Sequence, residues 1–242
     1  MATWIAVILG SAMAGMLQTV TGFGSVMLMM MIFPFFFSII DSPALSLSIN
    51  MLYCLILCIK YRRDIDWRVT IPPTIVYSIV SFIVTGLVGS ADLHILIIVF
   101  SVFLMALSVY FLLVASKIKA KPKAIVGVGC GAMAGVTAGL FALGGPPIAP
   151  YFIAATKNHR SYVASMQLLF VITNVVNISG RMINGIFNWS LWPYIAVGSV
   201  FILGGMLVGE YISGKINPAR LRLVVYAFVG ISGLVLLLQQ IL

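Results

Sequence analysis

The sequence predicts an all-α polytopic membrane protein of two inverted-topology repeats, each a broken-helix, re-entrant-like pair followed by three full transmembrane helices. Three observations lead there. Hydrophobic residues make up 62% of the 242 positions and charged ones 8%, too few polar groups to coat a water-soluble globule of this size. The charges gather in short loops, leaving apolar stretches between them of the length that crosses a bilayer. Glycine-rich interruptions fall at matching places in two halves, about 4–116 and 125–242, of a single transmembrane domain over 1–242.

Taken in order, the apolar stretches run at about 4–21, 24–38, 43–60, 70–90, 94–116, 125–142, 147–156, 162–183, 191–210 and 219–242. Ala12-Met13-Ala14 imitates a signal-peptidase site, but no basic region precedes it, so the first stretch is read as a retained membrane segment. Asp41-Ser42-Pro43, the basic loop before Pro72-Pro73, and Asn217-Pro218 each read as a cap followed by a first-turn proline. Trp4, Trp67, Trp189 and Trp192 fall near segment ends, where interfacial aromatics belong.

Charge sets the expected topology. Six charges lie in residues 60–68, four lysines in 117–123, Lys157 and Arg160 in a third loop, and Glu210, Lys215, Arg220 and Arg222 in a fourth. With these loops in the cytoplasm, Asp41 and Asp92 face outside in loops without Lys or Arg, as the positive-inside rule requires. The net charge of +9 is thereby explained without a nucleic-acid partner. We expect an integral protein of the bacterial cytoplasmic membrane with both termini outside. The first broken pair then begins and ends outside and the second begins and ends inside, which turns the second half upside down.

Setting residue n against n+120 aligns Ser11, Gly15, Thr19 and Gly24 with Gly131, Gly135, Gly139 and Gly144, and Leu87-Val88-Gly89 with Leu207-Val208-Gly209. Gly127, Gly131, Gly135 and Gly139 recur every fourth position, as do Ser11, Gly15 and Thr19, a ridge that lets a neighbouring helix approach closely. Each ridged helix stops at a break, Thr21-Gly22-Phe23-Gly24-Ser25 or Leu143-Gly144-Gly145-Pro146-Pro147. Glycine permits the backbone angles of such a tip and proline suits the restarting first turn. Freed backbone groups need partners inside a bilayer, so each tip should line a protein cavity. The restarted helix aims unpaired N–H groups and a positive dipole end at that cavity, which suits an anion.

These residues resemble the sulfite exporter TauE/SafE family of membrane permeases. The resemblance rests on Ala14-Gly15-Met16-Leu17-Gln18-Thr19-Val20-Thr21-Gly22-Phe23-Gly24, on Asn50 before Tyr61-Arg62-Arg63-Asp64-Ile65-Asp66-Trp67-Arg68, and on Gly135 through Pro147 with Asn174. It implies transport of small sulfur-containing or organic anions such as sulfite, thiosulfate or sulfonates. Ser25 departs from the family pattern, standing where a further glycine is common.

Polar residues within apolar stretches complete the candidate substrate set: Gln18, Thr21, Gly22, Gly24, Ser25, Asn50, Gly144, Gly145, Asn174, Asn177 and Arg181, with Gln167 beside them. Asn174, Asn177 and Arg181 are spaced to share a helix face. Arg181, the one charge outside the loops and the loop-like segment ends apart from Asp41 and Asp92, reads either as a snorkelling anchor or as an anion-attracting residue at the outer mouth.

Absences narrow the chemistry. No Asp or Glu lies in an apolar interior, His94 and His159 sit at segment ends, and there is no HExxH, P-loop or carboxylate pair, so an enzyme is not expected. Met27, Met29, Met30 and Met31 with Cys54 and Cys58 invite a soft-metal reading, but in so apolar a chain they are read as packing. No cofactor or metal is expected; the partners are the bilayer and a small anionic substrate, with the homo-oligomeric state open. The expectation is alternating-access transport where the two broken helices meet. A passive anion channel and a non-transporting assembly or signalling subunit are the alternatives.

Overall fold

The computed structural model describes residues 1–89, 91–110, 123–212 and 218–241, with 218–226, 240 and 241 described by their backbone alone. The described chain forms α1 (Ala2–Thr21), α2 (Ser25–Ile32), α3 (Asp41–Lys60), α4 (Trp67–Val88), α5 (Leu93–Val109), α6 (Ala124–Phe141), α7 (Gly145–Ala155), α8 (His159–Ile183), α9 (Trp192–Ile212) and α10 (Pro218–Ile241). Among the described residues there is no strand, and six spans, those of α1, α3, α4, α6, α8 and α9 with the turn before it, are long and apolar enough to cross a membrane. The expected fifth crossing continues into residues 111–116, which lie outside the described residues, as do Lys117, Lys119, Lys121, Lys215 and Asn217.

The two breaks are built differently. α1 ends on Gly22 (φ 83), whose N–H bonds the Gln18 carbonyl at 2.7 Å, and α2 starts after Gly24 (φ 107). Both glycines occupy the left-handed region that other residues avoid. In the second half the left-handed residue is Ala142 (φ 61), while Gly144 has an ordinary φ of −82. Glycine at 144 is needed for space instead: a Cβ there would overlap the Tyr77 hydroxyl.

α4 starts earlier than its prolines suggested. The Asp66 carboxylate accepts from the Val69 N–H at 3.4 Å and caps the helix at Trp67, so Pro72 and Pro73 lie within it. Pro73 has no N–H for the Val69 carbonyl, which accepts from the Tyr151 hydroxyl at 3.5 Å instead. Asp41 likewise falls in the first turn of α3, after Ile40, where its charge meets the positive end of the helix.

The small-residue ridges pack as their spacing predicts. A Cβ at Gly131, Gly135 or Gly139 would come within 2.6–2.9 Å of the carbonyls of Pro73, Tyr77 and Ser81, so α6 lies backbone to backbone and parallel with α4. α1 lies parallel with α9 in the same way: Gly15 abuts the Ile202 carbonyl, Gly198 meets Ser11 and Gly209 meets Thr19. Gly15 packs on Ile202 and Gly135 on Tyr77, an offset of 125 between the two partners that differs from the n+120 alignment of Leu87 with Leu207. α3 crosses α8 antiparallel, because Arg181 near the end of α8 reaches the Ile40 carbonyl before α3, while Ser165 near its start meets Asp66 after α3. α5 and α10 also run antiparallel, with Gly230 against Ser108 and Gly233 against Ser101. A shared apolar core fills the spaces between helices and includes Met27, Met29, Met30 and Met31.

Candidate functional site

The two breaks meet at one cavity. It is narrow, with a volume of about 20 Å³, and is lined by Gln18 of α1, Gly24 and Ser25 of the first break, Asn50 of α3, Tyr77 of α4, Leu143, Gly145 and Pro146 of the second break, and Phe170 and Asn174 of α8. Both restarted helices, α2 and α7, begin at its wall, and neither start is capped by a side chain.

Three carbonyls at the breaks are taken by side chains. Gly22 O accepts from Gln167 Nε2 at 3.2 Å, Phe23 O from Thr21 Oγ1 at 2.5 Å, and Leu143 O from Thr137 Oγ1 at 2.9 Å. Helix starts leave N–H groups open, which makes a donor surface. The two starts are unequal. α2 offers the N–H groups of Ser25, Val26 and Met27, the Leu28 N–H being the first to bond back within the helix, at 2.9 Å to Gly24 O. α7 offers Gly145, since Pro146 and Pro147 have none to give.

Side chains brace one wall. Ser25 Oγ bonds Gln18 Oε1 and, at 2.8 Å, Asn50 Oδ1; Gln18 Nε2 donates to Gln167 Oε1 at 3.1 Å; Asn50 Nδ2 donates to Cys54 Sγ at 3.2 Å. Across the cavity the Asn174 amide nitrogen is buried and has no hydrogen-bond partner among the described residues. Leaving such a donor unpaired costs about 1–3 kcal/mol. Among the described residues no Lys, Arg, Asp, Glu or His lines the space, so the groups there that could hold a charge are dipoles and amides.

Of the residues singled out from the sequence, Gln18, Gly24, Ser25, Asn50, Gly145 and Asn174 line the cavity. Thr21 and Gly22 lie behind it and shape the tip. Gly144 makes room for Tyr77. Asn177 points toward α4, taking a bond from Thr85 Oγ1 at 3.2 Å and giving one to Ser81 Oγ at 3.3 Å. Arg181 is 0% exposed and turned inward, donating to Ile40 O at 3.3 Å and Gly139 O at 3.4 Å, so its guanidinium ties the start of α3 to the last turn of α6. It reaches neither an aqueous end nor the cavity. Tyr77, Phe170 and Thr137 were not singled out from the sequence. A tyrosine at the spacing of the α4 contact face was the one available signal for Tyr77.

The family model described as Sulfite exporter TauE/SafE matches residues 7–236. No curated protein and no solved structure matches the chain.

Proposed function

The chain belongs to the sulfite exporter TauE/SafE family, a family of membrane transporters, and from that premise we propose that it moves a small anion, sulfur-containing or organic, by alternating access at the cavity between the two breaks. The observation that carries this reading is that uncapped starts of two helices, one from each half of the chain, line one buried cavity together with an unpartnered amide donor at Asn174. The N–H groups that the helix starts leave open are donors, and a small anion would satisfy them without a formal positive charge once the site widens to admit it.

Alternating access draws on the packing pattern. If α1–α5 and α6–α10 are equivalent halves, α1 on α9 corresponds to α6 on α4, and the equivalent helices α3 and α8 face each other. An axis in the membrane plane must turn equivalent helices antiparallel, and both α3 with α8 and α5 with α10 run that way. Inverted halves can exchange conformations, each opening the site to one side. The broken pairs are read as re-entrant, with both termini outside.

Flux into proteoliposomes tests the function. Labelled sulfite, thiosulfate and small sulfonates should include at least one species taken up saturably and exchanged against the same unlabelled anion. Uptake without exchange would identify a passive channel, and no substrate-dependent flux would remove the transport reading.

A further inference from the structure

A second cavity lies at the end of the bundle remote from Arg181, between the loop after α3 and the loop before α8. It is open, has a volume of about 460 Å³, and is lined by Arg63, Asp64, Asp66, Trp67, Arg68, Lys157, Asn158 and Ser161 among others. Arg63, Arg68 and Lys157 are exposed, and none of them forms an ion pair among the described residues, where the pair present is Lys60 with Glu210. Of the two carboxylates, Asp66 is occupied in capping α4. Asn158 caps α8 through the Ser161 N–H at 2.9 Å, so the positive end of that helix also faces the opening.

The position relative to the central cavity is informative. α4 places Trp67 and Arg68 at this opening and Tyr77 at the central cavity; α7 runs from Pro146 at the central cavity to Lys157 just past its end; α8 runs from Ser161 to Phe170 and Asn174. The Trp67-to-Tyr77 separation along α4 is about 15 Å at 1.5 Å per residue. Two helices, α4 and α8, therefore line both spaces and α7 leads from one toward the other, with Tyr151, bonded to Val69 O, and Ser165, bonded to the Asp66 N–H, between them.

We propose that this basic cavity is a capture site for the transported anion, holding it electrostatically before it passes between α4, α7 and α8 to the central site. The proposal rests on the anion-transport reading above. Oxyanions such as sulfite are the ligand class, and acidic lipid headgroups carry similar chemistry from a different source. The guanidinium groups of Arg63 and Arg68 suit oxyanion geometry, and Lys157 supplies a mobile point charge.

Trp67 makes the site observable. Trp4 packs on Tyr194 at the start of α9, and Trp189 and Trp192 lie beside it, at the end where Asn188 meets Asp41. A protein carrying Trp4→Phe, Trp189→Phe and Trp192→Phe retains Trp67 alone among the four tryptophans. In phosphatidylcholine nanodiscs, sulfite titrated against chloride at matched low ionic strength should change Trp67 fluorescence saturably. Arg68→Gln with Lys157→Gln should raise the half-saturation point by about fivefold or more, as expected for loss of local electrostatic attraction, while Asn174→Ala should leave it unchanged. In flux assays the same double variant should raise KM and keep the maximal rate. No saturable change, or a change abolished by Asn174→Ala and kept by Arg68→Gln with Lys157→Gln, overturns the proposal. A change produced by phosphatidylglycerol in the disc and not by sulfite overturns it in favour of a lipid site. Absence of flux with intact Trp67 titration would count against the transport reading and leave this site standing.

Discussion

Asn50 and Asn174 line one cavity from antiparallel helices, yet Asn50 spends its amide on Ser25 and Cys54 while the Asn174 nitrogen has no hydrogen-bond partner among the described residues. The two should therefore respond differently to truncation. Asn174→Ala removes a donor that a bound anion would take up, so apparent affinity should fall about tenfold or more, the size of a lost hydrogen bond to a charged group. Thermal stability should hardly change. Asn50→Ala should lower stability by about 1 kcal/mol as well as affinity, because Ser25 and Cys54 lose a partner. Uptake kinetics and melting of the purified protein measure both.

Gly144 and Tyr77 form a steric pair. Gly144→Ala places a methyl group where the Tyr77 hydroxyl sits, which should abolish transport and cut membrane abundance. Adding Tyr77→Ala clears the obstruction and should restore abundance. Gly24→Leu fails for another reason, since φ 107 is hostile to any side chain whatever the space. No second-site change at Leu17, the nearest neighbour, should rescue it.

Arg181 is a structural tie by its contacts. Arg181→Gln should destabilise the protein by about 3 kcal/mol or more, because the carbonyls of Ile40 and Gly139 lose a buried charged donor. Among molecules that remain folded, substrate capture at low salt should be little altered. Melting temperature and the salt dependence of KM separate this from a role in attracting anions.

The Lys60–Glu210 ion pair at 2.6 Å is exposed, with side-chain exposures of 44% and 38%. Lys60→Gln should shift stability by less than about 1 kcal/mol. A melting curve within a few degrees of the parent protein is the expected outcome.

Part of the cavity lining was legible because polar side chains are rare in an apolar chain. Asn50 and Asn174 stand out among aliphatic neighbours, and Gly22 and Gly24 mark a tip that only such residues tolerate. The sequence showed less where tertiary partners decide. Asn177 has the same composition and helix as Asn174, but Ser81 and Thr85 happen to face it and satisfy its amide. Arg181 near a segment end fits both a surface and an interior placement, and the carbonyls of Ile40 and Gly139, distant in sequence, settle which. Ala142 carries no sign of its left-handed backbone, because alanine is common in ordinary helices. The start of α4 depended on whether Asp66 or the two prolines set it, and the carboxylate cap prevailed because Tyr151 covers the carbonyl that Pro73 leaves unbonded.

The most direct test places a single cysteine at the heart of the cavity. In a protein with Cys54→Ser, Cys58→Ser and Cys130→Ser, Asn174→Cys should react with a membrane-impermeant thiol reagent applied from either side of a proteoliposome. Reaction should block transport, and substrate should slow the reaction from both sides. A cysteine at this position that is reached from one side alone, or that reacts without affecting flux, would contradict alternating access at the meeting point of the two breaks.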